Sequence, residues 1–423
     1  MSIFTKLFYL LRKIWKAIRL YVALAGPGLV VMIADNDAGG ITTYAATGGK
    51  YGFHLIWLMI VLIPVAYYVQ EMTVRLGAVT KRGHAEAIFE SFGAFWGWFS
   101  LVDLLLCDWL TLVTEFIGMT AALALFGVPP WITVVVVSFM MAGIVFNGRY
   151  WTWEKITMLF CLLNLIYIPA AFLLKPNVSD IMKDGIIPNF PGGFNNELFF
   201  FIMANIGTTI APWMLFFQQS AVVDKGMTEK DIPFGKADTL IGSIFTGVTA
   251  VFIIVVTGTL LLGADFEDAA KAASMMMEHS QNYVGTCMAI GLFDAGLLGA
   301  ICISLASSWA FGEIYGWAHS LNNKIKDARW FYASYIFMLI SAGIVVLIPG
   351  APLVLITLFV QVIAVTLLPA ALVFLILLLN DEETMGKYKN TLSQNIITGT
   401  IVFIVIVMST LYGVSTLFPT LFG

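Results

Sequence analysis

The sequence predicts an all-α integral membrane protein made of two five-span halves of opposite topology and one added span. Three observations carry that prediction. Hydrophobic residues make up 60% of the 423 residues and charged residues only 11%, which leaves little to solvate a soluble domain. Apolar runs of about 20 residues, the length that crosses a bilayer, recur along the whole chain. Two of those runs are interrupted near their middles, by Asp35-Asn36-Asp37-Ala38-Gly39-Gly40 and by Gly207-Thr208-Thr209-Ile210-Ala211-Pro212. Carboxylates, paired glycines and proline suit a continuous helix in lipid poorly. Irregular backbone at that depth is tolerated where it lines a buried or watery cavity.

Residues 1–21 come first. Lys6, Arg12, Lys13, Lys16 and Arg19 alternate with Phe, Leu, Ile and Trp, and no cleavage site follows an apolar core. This reads as a cytoplasmic amphipathic helix on the inner leaflet, not a signal peptide. Eleven spans follow, over 22–46, 53–76, 96–125, 129–147, 153–174, 196–222, 237–263, 283–318, 329–349, 352–379 and 393–418. With the N-terminus inside, 18 Lys and Arg fall on the cytoplasmic side and 4 outside. That asymmetry sets the orientation and leaves the C-terminus outside, in a plasma or inner membrane. The segment 175–195, with its Pro and Gly, is a seam between repeat 1 (22–174) and repeat 2 (196–379); span eleven (393–418) lies outside both. The interruptions then occupy the first span of each half, where paired breaks mark a transporter's substrate site.

An ionisable side chain at mid-membrane costs roughly 2.5–3.5 kcal/mol on insertion scales, so each needs a reason. Asp37 is read as a cation ligand, a role compatible with capping the helix that resumes after it. Asp35 either binds a cation through water or holds the fold. Asp108 and Glu115 share one face of span three, seven residues apart. They are read as cavity-lining, with pairing to other buried polar groups as the alternative. Asp103 lies off that face and reads as structural. Glu71, Asp294, Glu313 and Gln361 are further intramembrane polar groups. The histidines His54, His84, His279 and His319 fall near span ends, so no histidine relay at the breaks is expected. Cys107, Cys161, Cys287 and Cys302 read as packing residues. Met32, Met203 and Met214 near the breaks also read as packing. No Walker loop, nucleophile elbow or HExxH occurs. Neither an enzyme nor a nucleic-acid partner is expected, and no catalytic residue or cofactor is assigned.

Five stretches together resemble the Nramp family of divalent metal transporters. They are Gly26-Pro27-Gly28 before the first break, Gln70 to Thr80, Glu115 to Gly118, Gly207 to Leu215, and Gln361 to Pro369. The resemblance implies the LeuT-type fold, with metal held between the unwound parts of spans one and six. It implies Asp37, the Thr208 carbonyl and Gln361 as ligands. The chain departs from the family elsewhere. Asparagine of the first motif is Gly40, the methionine of the sixth-span motif is Ala211, and its histidine is Trp213. The residue two before the aspartate is Asp35, the usual span-three aspartate is Leu112, and Glu115 is kept. This pattern is similar to the magnesium-transporting branch of the family.

Ligand chemistry points the same way. A thioether favours softer ions, and its loss favours a hard one. Magnesium binds oxygens and keeps several waters. Carboxylates at Asp35 and Asp37, neutral oxygens at Thr208 and Gln361, and the small residues Gly40 and Ala211 suit a partly hydrated Mg²⁺, with Mn²⁺ also passing. A dication gains about 4.6 kcal/mol per 100 mV, inside negative, so uptake needs no coupled proton. A proton-coupled Mn²⁺/Fe²⁺ symporter of the same fold is the alternative. An organic-substrate carrier and a metal sensor are the more distant ones. The expected assembly is a monomer in the bilayer.

Overall fold

The computed structural model describes residues 26–190, 193, 195–264, 266, 268–278 and 282–417. The amphipathic segment expected over 1–21 lies outside them. Every element among the described residues is helical. Among the described residues, eight helices are long and apolar enough to cross a membrane. The first, third and fourth expected spans fall short of that measure for visible reasons. The first is split, the third carries Asp103, Asp108 and Glu115, and the fourth, Pro130–Val145, has 16 residues.

The first span is two helices, α1 (Pro27–Ala34) and α2 (Ala38–Tyr51). Next come α3 (Ile56–Thr80), the short α4 (His84–Phe92) and α5 (Ala94–Ala124). The fourth and fifth spans are α6 (Pro130–Val145), α7 (Tyr150–Leu163) and, after a 3₁₀ turn at Asn164–Ile166, α8 (Tyr167–Leu174). Beyond a surface helix, α9 (Val178–Gly185), the sixth span again divides, into α10 (Asn196–Thr209) and α11 (Pro212–Asp224). The remainder comprises α12 (Ile232–Leu260), α13 (Ala269–Glu278), α14 (Asn282–Tyr315), α15 (Arg329–Val346), α16 (Leu353–Asn380), the four-residue α17 (Glu382–Met385) and α18 (Leu392–Leu417).

Both breaks are narrower than the sequence suggests. The first is Asp35–Asp37 alone, because the Asp37 carboxylate accepts from Gly40 N at 2.6 Å and starts α2 at Ala38. An N-cap of this kind satisfies one of the donors that a helix start leaves open. Gly39 and Gly40 therefore sit in the first helical turn. At the second break only Ile210 and Ala211 leave the helix. Pro212 has no N–H, so the ladder stops there and restarts with proline in the first turn, where its missing donor costs nothing.

Burial ranks the helices. The broken sixth span and α14 are 94% and 89% buried along their apolar windows, while α18 is 28% buried. The broken helices and α14 thus form the centre, with α5 packed on α14, α12 on α1 and α2, and α16 on α10. Phe95, Phe139, Leu162, Phe172 and Phe403 are exposed on the outer helices, as expected of a lipid-facing surface. Glu71, an intramembrane polar residue in the sequence, belongs to a structural network. It pairs with Arg75 at 2.7 Å and with Lys236, and Arg75 also donates to Asn390 Oδ1 at 2.7 Å.

Candidate metal-binding site

The two breaks meet beside Gly40. A Cβ added to Gly40 would stand 2.7 Å from Thr208 Oγ1, 3.2 Å from the Asp35 carbonyl oxygen and 3.3 Å from Asp37 Oδ1. Three oxygens from both breaks therefore converge on one spot. The family resemblance gives Thr208 a role through its carbonyl; its hydroxyl is the atom that faces the first break. The carbonyl is also open on physical grounds. In an unbroken helix it would accept from residue 212, and Pro212 has no N–H to give.

Asp35 and Asp37 are 1% and 3% exposed. Asp35 Oδ2 has no hydrogen-bond partner among the described residues. Gln361 approaches from α16, and a Cβ at Gly39 would collide with its Nε2. That amide nitrogen is also without a partner. The Gln361 carbonyl lies against Gly207 so closely that a Cβ there would clash as well. Missing side chains at Gly39 and Gly207 thus let one residue of α16 touch both broken helices.

Glu115 stands on the other side of Asp37. Its Oε2 accepts from Ala38 N at 2.9 Å, and Thr114 Oγ1 lies 3.2 Å from its Oε1. Two carboxylates, Asp37 and Glu115, therefore sit on the N-terminus of α2. That end carries a partial positive charge that would repel a cation, and the carboxylates offset it. Asp108 Oδ2 accepts from Ser307 Oγ at 2.6 Å across the seam with α14. The Asp108/Glu115 stripe is therefore engaged in pairing, and neither it nor Trp213 is among the residues that line the two cavities described below. Trp213 is fully buried against Phe217, with ring centroids 6.1 Å apart. Ala211 caps α11, and its N–H points to Met214 Sδ at 3.4 Å.

Sequence reasoning passes over two residues here. Tyr44 OH lies 3.3 Å from Thr209 Oγ1, tying α2 to α10 just beyond the breaks. Its position seven residues after Asp37, on the same helical face, is the signal that could have found it. Met214 reads as packing in the sequence, and its sulfur accepts a backbone N–H at the second break.

Cavities lie beyond the breaks toward both ends of the molecule. A cavity of ≈ 1240 Å³ opens at the far end of α2 and the start of α10, lined by Ala46, Lys50, Glu197, Phe200, Leu353 and Phe359 among others. Ala46 is nine positions from Asp37, about 13 Å along the helix. Between them, the Tyr44–Thr209 contact and the bond from Asn205 Nδ2 to Thr47 Oγ1, 2.8 Å, join α2 to α10. A second cavity of ≈ 360 Å³ lies at the opposite end, against Gly83, Ser220, Glu313 and His319. There Asp238 accepts from Gly26 N and Leu29 N, both at 3.0 Å, and pins the start of α1. Among the described residues no group of three or more His, Cys, Asp and Glu gathers as a metal cluster. The oxygens at the breaks are two carboxylates and neutral groups.

A buried polar site between two broken membrane helices defines a membrane transport protein of the LeuT-type fold. The sequence pattern of the natural resistance-associated macrophage protein-like family, Nramp, matches residues 28–416. The chain belongs to that family. It is 25% identical over 415 residues to the divalent metal cation transporter MntH of Staphylococcus saprophyticus, covering 91% of this chain and 90% of that protein. It is 22% identical over 402 residues to the natural resistance-associated macrophage protein 2 homolog of Dictyostelium discoideum, covering 90% of this chain and 61% of that protein. Its fold is similar to a crystal structure of the Eremococcus coleocola manganese transporter in complex with an aromatic bis-isothiourea substituted compound. The TM-score is 0.77 at 18% identity, covering 94% of this chain and 86% of that one. MhsT in complex with L-phenylalanine matches more distantly, with a TM-score of 0.59 at 13% identity, covering 92% and 98% of the two chains.

Proposed function

We propose that this protein carries divalent metal cations across the membrane by alternating access, with Mg²⁺ as the main substrate and Mn²⁺ also carried. The observation that supports this most is the convergence beside Gly40 of oxygens from Thr208, Asp35 and Asp37. Names of relatives, a divalent metal cation transporter and a manganese transporter, support the substrate class. The choice of Mg²⁺ rests on the donors. All are oxygens, Ala211 offers no thioether, and the Met214 sulfur already accepts a backbone N–H. Hard, oxygen-rich sites that leave room for water suit Mg²⁺. Asp37, Asp35, Thr208 and Gln361 would hold the ion, with Gly40 and Ala211 leaving room for its water.

Uptake would run without a coupled proton, in a monomer of the plasma membrane with its N-terminus inside. Trp213 cannot take a proton, and Leu112 is a buried hydrocarbon where an acid would be needed. A proton-coupled Mn²⁺/Fe²⁺ symporter is the second reading. It is favoured by Glu115, which accepts the N–H next to Asp37. Metal flux into liposomes, read with an internal pH dye under an inside-negative potential, separates the two. The expected outcome is Mg²⁺ and Mn²⁺ entry with no metal-dependent acidification. Acidification that disappears in Glu115→Gln would replace this reading with the second.

A further inference from the structure

Behind the first break, on the side away from the divalent site, a second group of buried oxygens lacks partners. Asp294 of α14 is 3% exposed, and neither of its carboxylate oxygens has a hydrogen-bond or ion-pair partner among the described residues. The Tyr167 ring packs so tightly on Gly291, one turn before Asp294, that a Cβ at Gly291 would strike its hydroxyl. That hydroxyl is buried and, among the described residues, unpartnered too. Asn164, three residues before Tyr167 and so on the same face, donates its Nδ2 to the Asn36 carbonyl at 3.5 Å. Asn36 donates its own Nδ2 to the Thr246 carbonyl at 3.4 Å.

Those two bonds fix the amides. Each places Nδ2 on a carbonyl, so each Oδ1 is an acceptor, and neither has a donor among the described residues. A proton on Asp294 would supply a single added donor, whereas a cation can be shared among several of these oxygens at once. A buried carboxylate without a counter-charge costs far more than a polar group that finds a partner. One negative charge with neutral oxygens matches a monovalent cation. The C-terminal end of α1, with its partial negative charge, adds to the attraction. In transporters of this architecture, the carbonyl ends of broken helices are where coupling ions bind.

We infer that Asp294, Tyr167 and Asn164, with Asn36 at the break, form a binding site for an alkali-metal cation, with Na⁺ as the probe. It is separate from the divalent site. Gly296 and Gly299 of α14 face Glu115 and Asp37, whereas Gly291 faces Tyr167. Asn36 links the two, because it stands between Asp35 and Asp37 in the chain. An ion held behind it would brace the break, and each site would then alter affinity at the other by the same factor. The inference does not depend on which divalent metal is carried.

The test is a thermal-melting titration of purified wild-type protein with NaCl against choline chloride at equal ionic strength, repeated on Asp294→Asn and Tyr167→Phe. A ligand that binds only the folded state raises the melting temperature saturably. Na⁺ should do so in wild type, more weakly in Tyr167→Phe and not at all in Asp294→Asn. Mn²⁺ half-saturation in proteoliposomes should also shift between Na⁺ and choline in wild type and not in Asp294→Asn. Equal melting curves in the two salts for wild type overturn the inference, whether or not the variants fold. Curves that move with pH alike in both salts also overturn it and assign Asp294 a proton. Loss of Na⁺ stabilisation in Asp294→Asn with Asp37-dependent metal uptake intact separates this site from the divalent one.

Discussion

The two breaks solve opposite halves of one electrostatic problem. At the first, a helix N-terminus faces the site, and its exposed N–H groups would repel a cation. The chain answers with charge: Asp37 takes Gly40 N, and Glu115 takes Ala38 N. At the second, α10 ends at the site with its carbonyls, which attract a cation without any acid. At the start of the helix that follows, Pro212 has no N–H and the Ala211 N–H turns to a sulfur. Carboxylates are thus concentrated at one break, and the other provides neutral oxygen. The pair teaches that the carboxylates gather at the first break, from Asp35, Asp37 and Glu115, while the second break offers neutral groups.

The sharpest way to break this comparison is Asp37→Ala. It removes both a ligand and a cap, so Mg²⁺ and Mn²⁺ uptake should fall by more than ~100-fold, since changes to groups outside the ligand set already cost roughly 10–100-fold. Size-exclusion profiles should stay monodisperse, because Glu115 still caps α2. Normal uptake would remove span one as the source of charge. Next in size is Pro212→Ala. Its new N–H can reach the Thr208 carbonyl and close the second break, and uptake should drop on the order of 10-fold with little loss of stability. Unchanged uptake would show that the Thr208 carbonyl is not used and leave the hydroxyl as its contribution.

Much of this was legible in the sequence, and the reasons are physical. Hydropathy period and length reveal helices in lipid. Acids, glycines and proline at mid-span are costly there unless the helix is interrupted, so both breaks could be read directly. Their extents could not. Asp37 recovers helix immediately through its own carboxylate, which pulls Gly39 and Gly40 out of the break. The reach of Gln361 to both breaks was also hidden, because it depends on which glycines of α2 and α10 meet α16 in space. Asp108 illustrates the remaining difficulty. Its spacing from Glu115 shows a shared face, but only the fold supplies Ser307 opposite it.

A selectivity swap sharpens the claim about span six. Ala211→Met should shift uptake toward Mn²⁺ and Cd²⁺ over Mg²⁺ by roughly 3–10-fold, through a soft ligand. Gly40→Asn is a different matter from what its small size suggests. Its Cβ would lie 2.7 Å from Thr208 Oγ1, so the Thr208 side chain must turn aside. Alone it should lower uptake of both ions, and with Ala211→Met it should add to the preference for Mn²⁺. Competition of Mg²⁺ against Mn²⁺ in the same liposomes reads both effects. An unchanged ratio in the double variant would place selectivity elsewhere.

The smallest expected effect concerns how the far ends of the broken helices are held. Asp238 pins α1 through Gly26 N and Leu29 N, while α11 is held by Ser220, which donates to Glu313 at 2.5 Å, and by Gln219, whose Oε1 lies 2.8 Å from His84 Nδ1. His84 begins α4, outside the spans, and is fully buried. Burial pushes its imidazole from 6.5 down to about 4, against weaker opposing hydrogen bonds from Gln219 and the Ala371 backbone. A lowered histidine means that the unfolded chain binds a proton the native state refuses. Stability is therefore complete above about 6.5 and falls as pH drops toward about 4. Replacing His84 with Gln removes the titrating group and keeps a hydrogen-bonding amide. Melting temperatures at pH about 7.5 and about 5 should differ less in His84→Gln than in wild type, by an amount equivalent to up to ~2 kcal/mol. Equal acid sensitivity in the two proteins would mean that His84 is already charged in the native state. The anchor of α11 would then be ionic, like that of α1, and the contrast between the two ends would disappear.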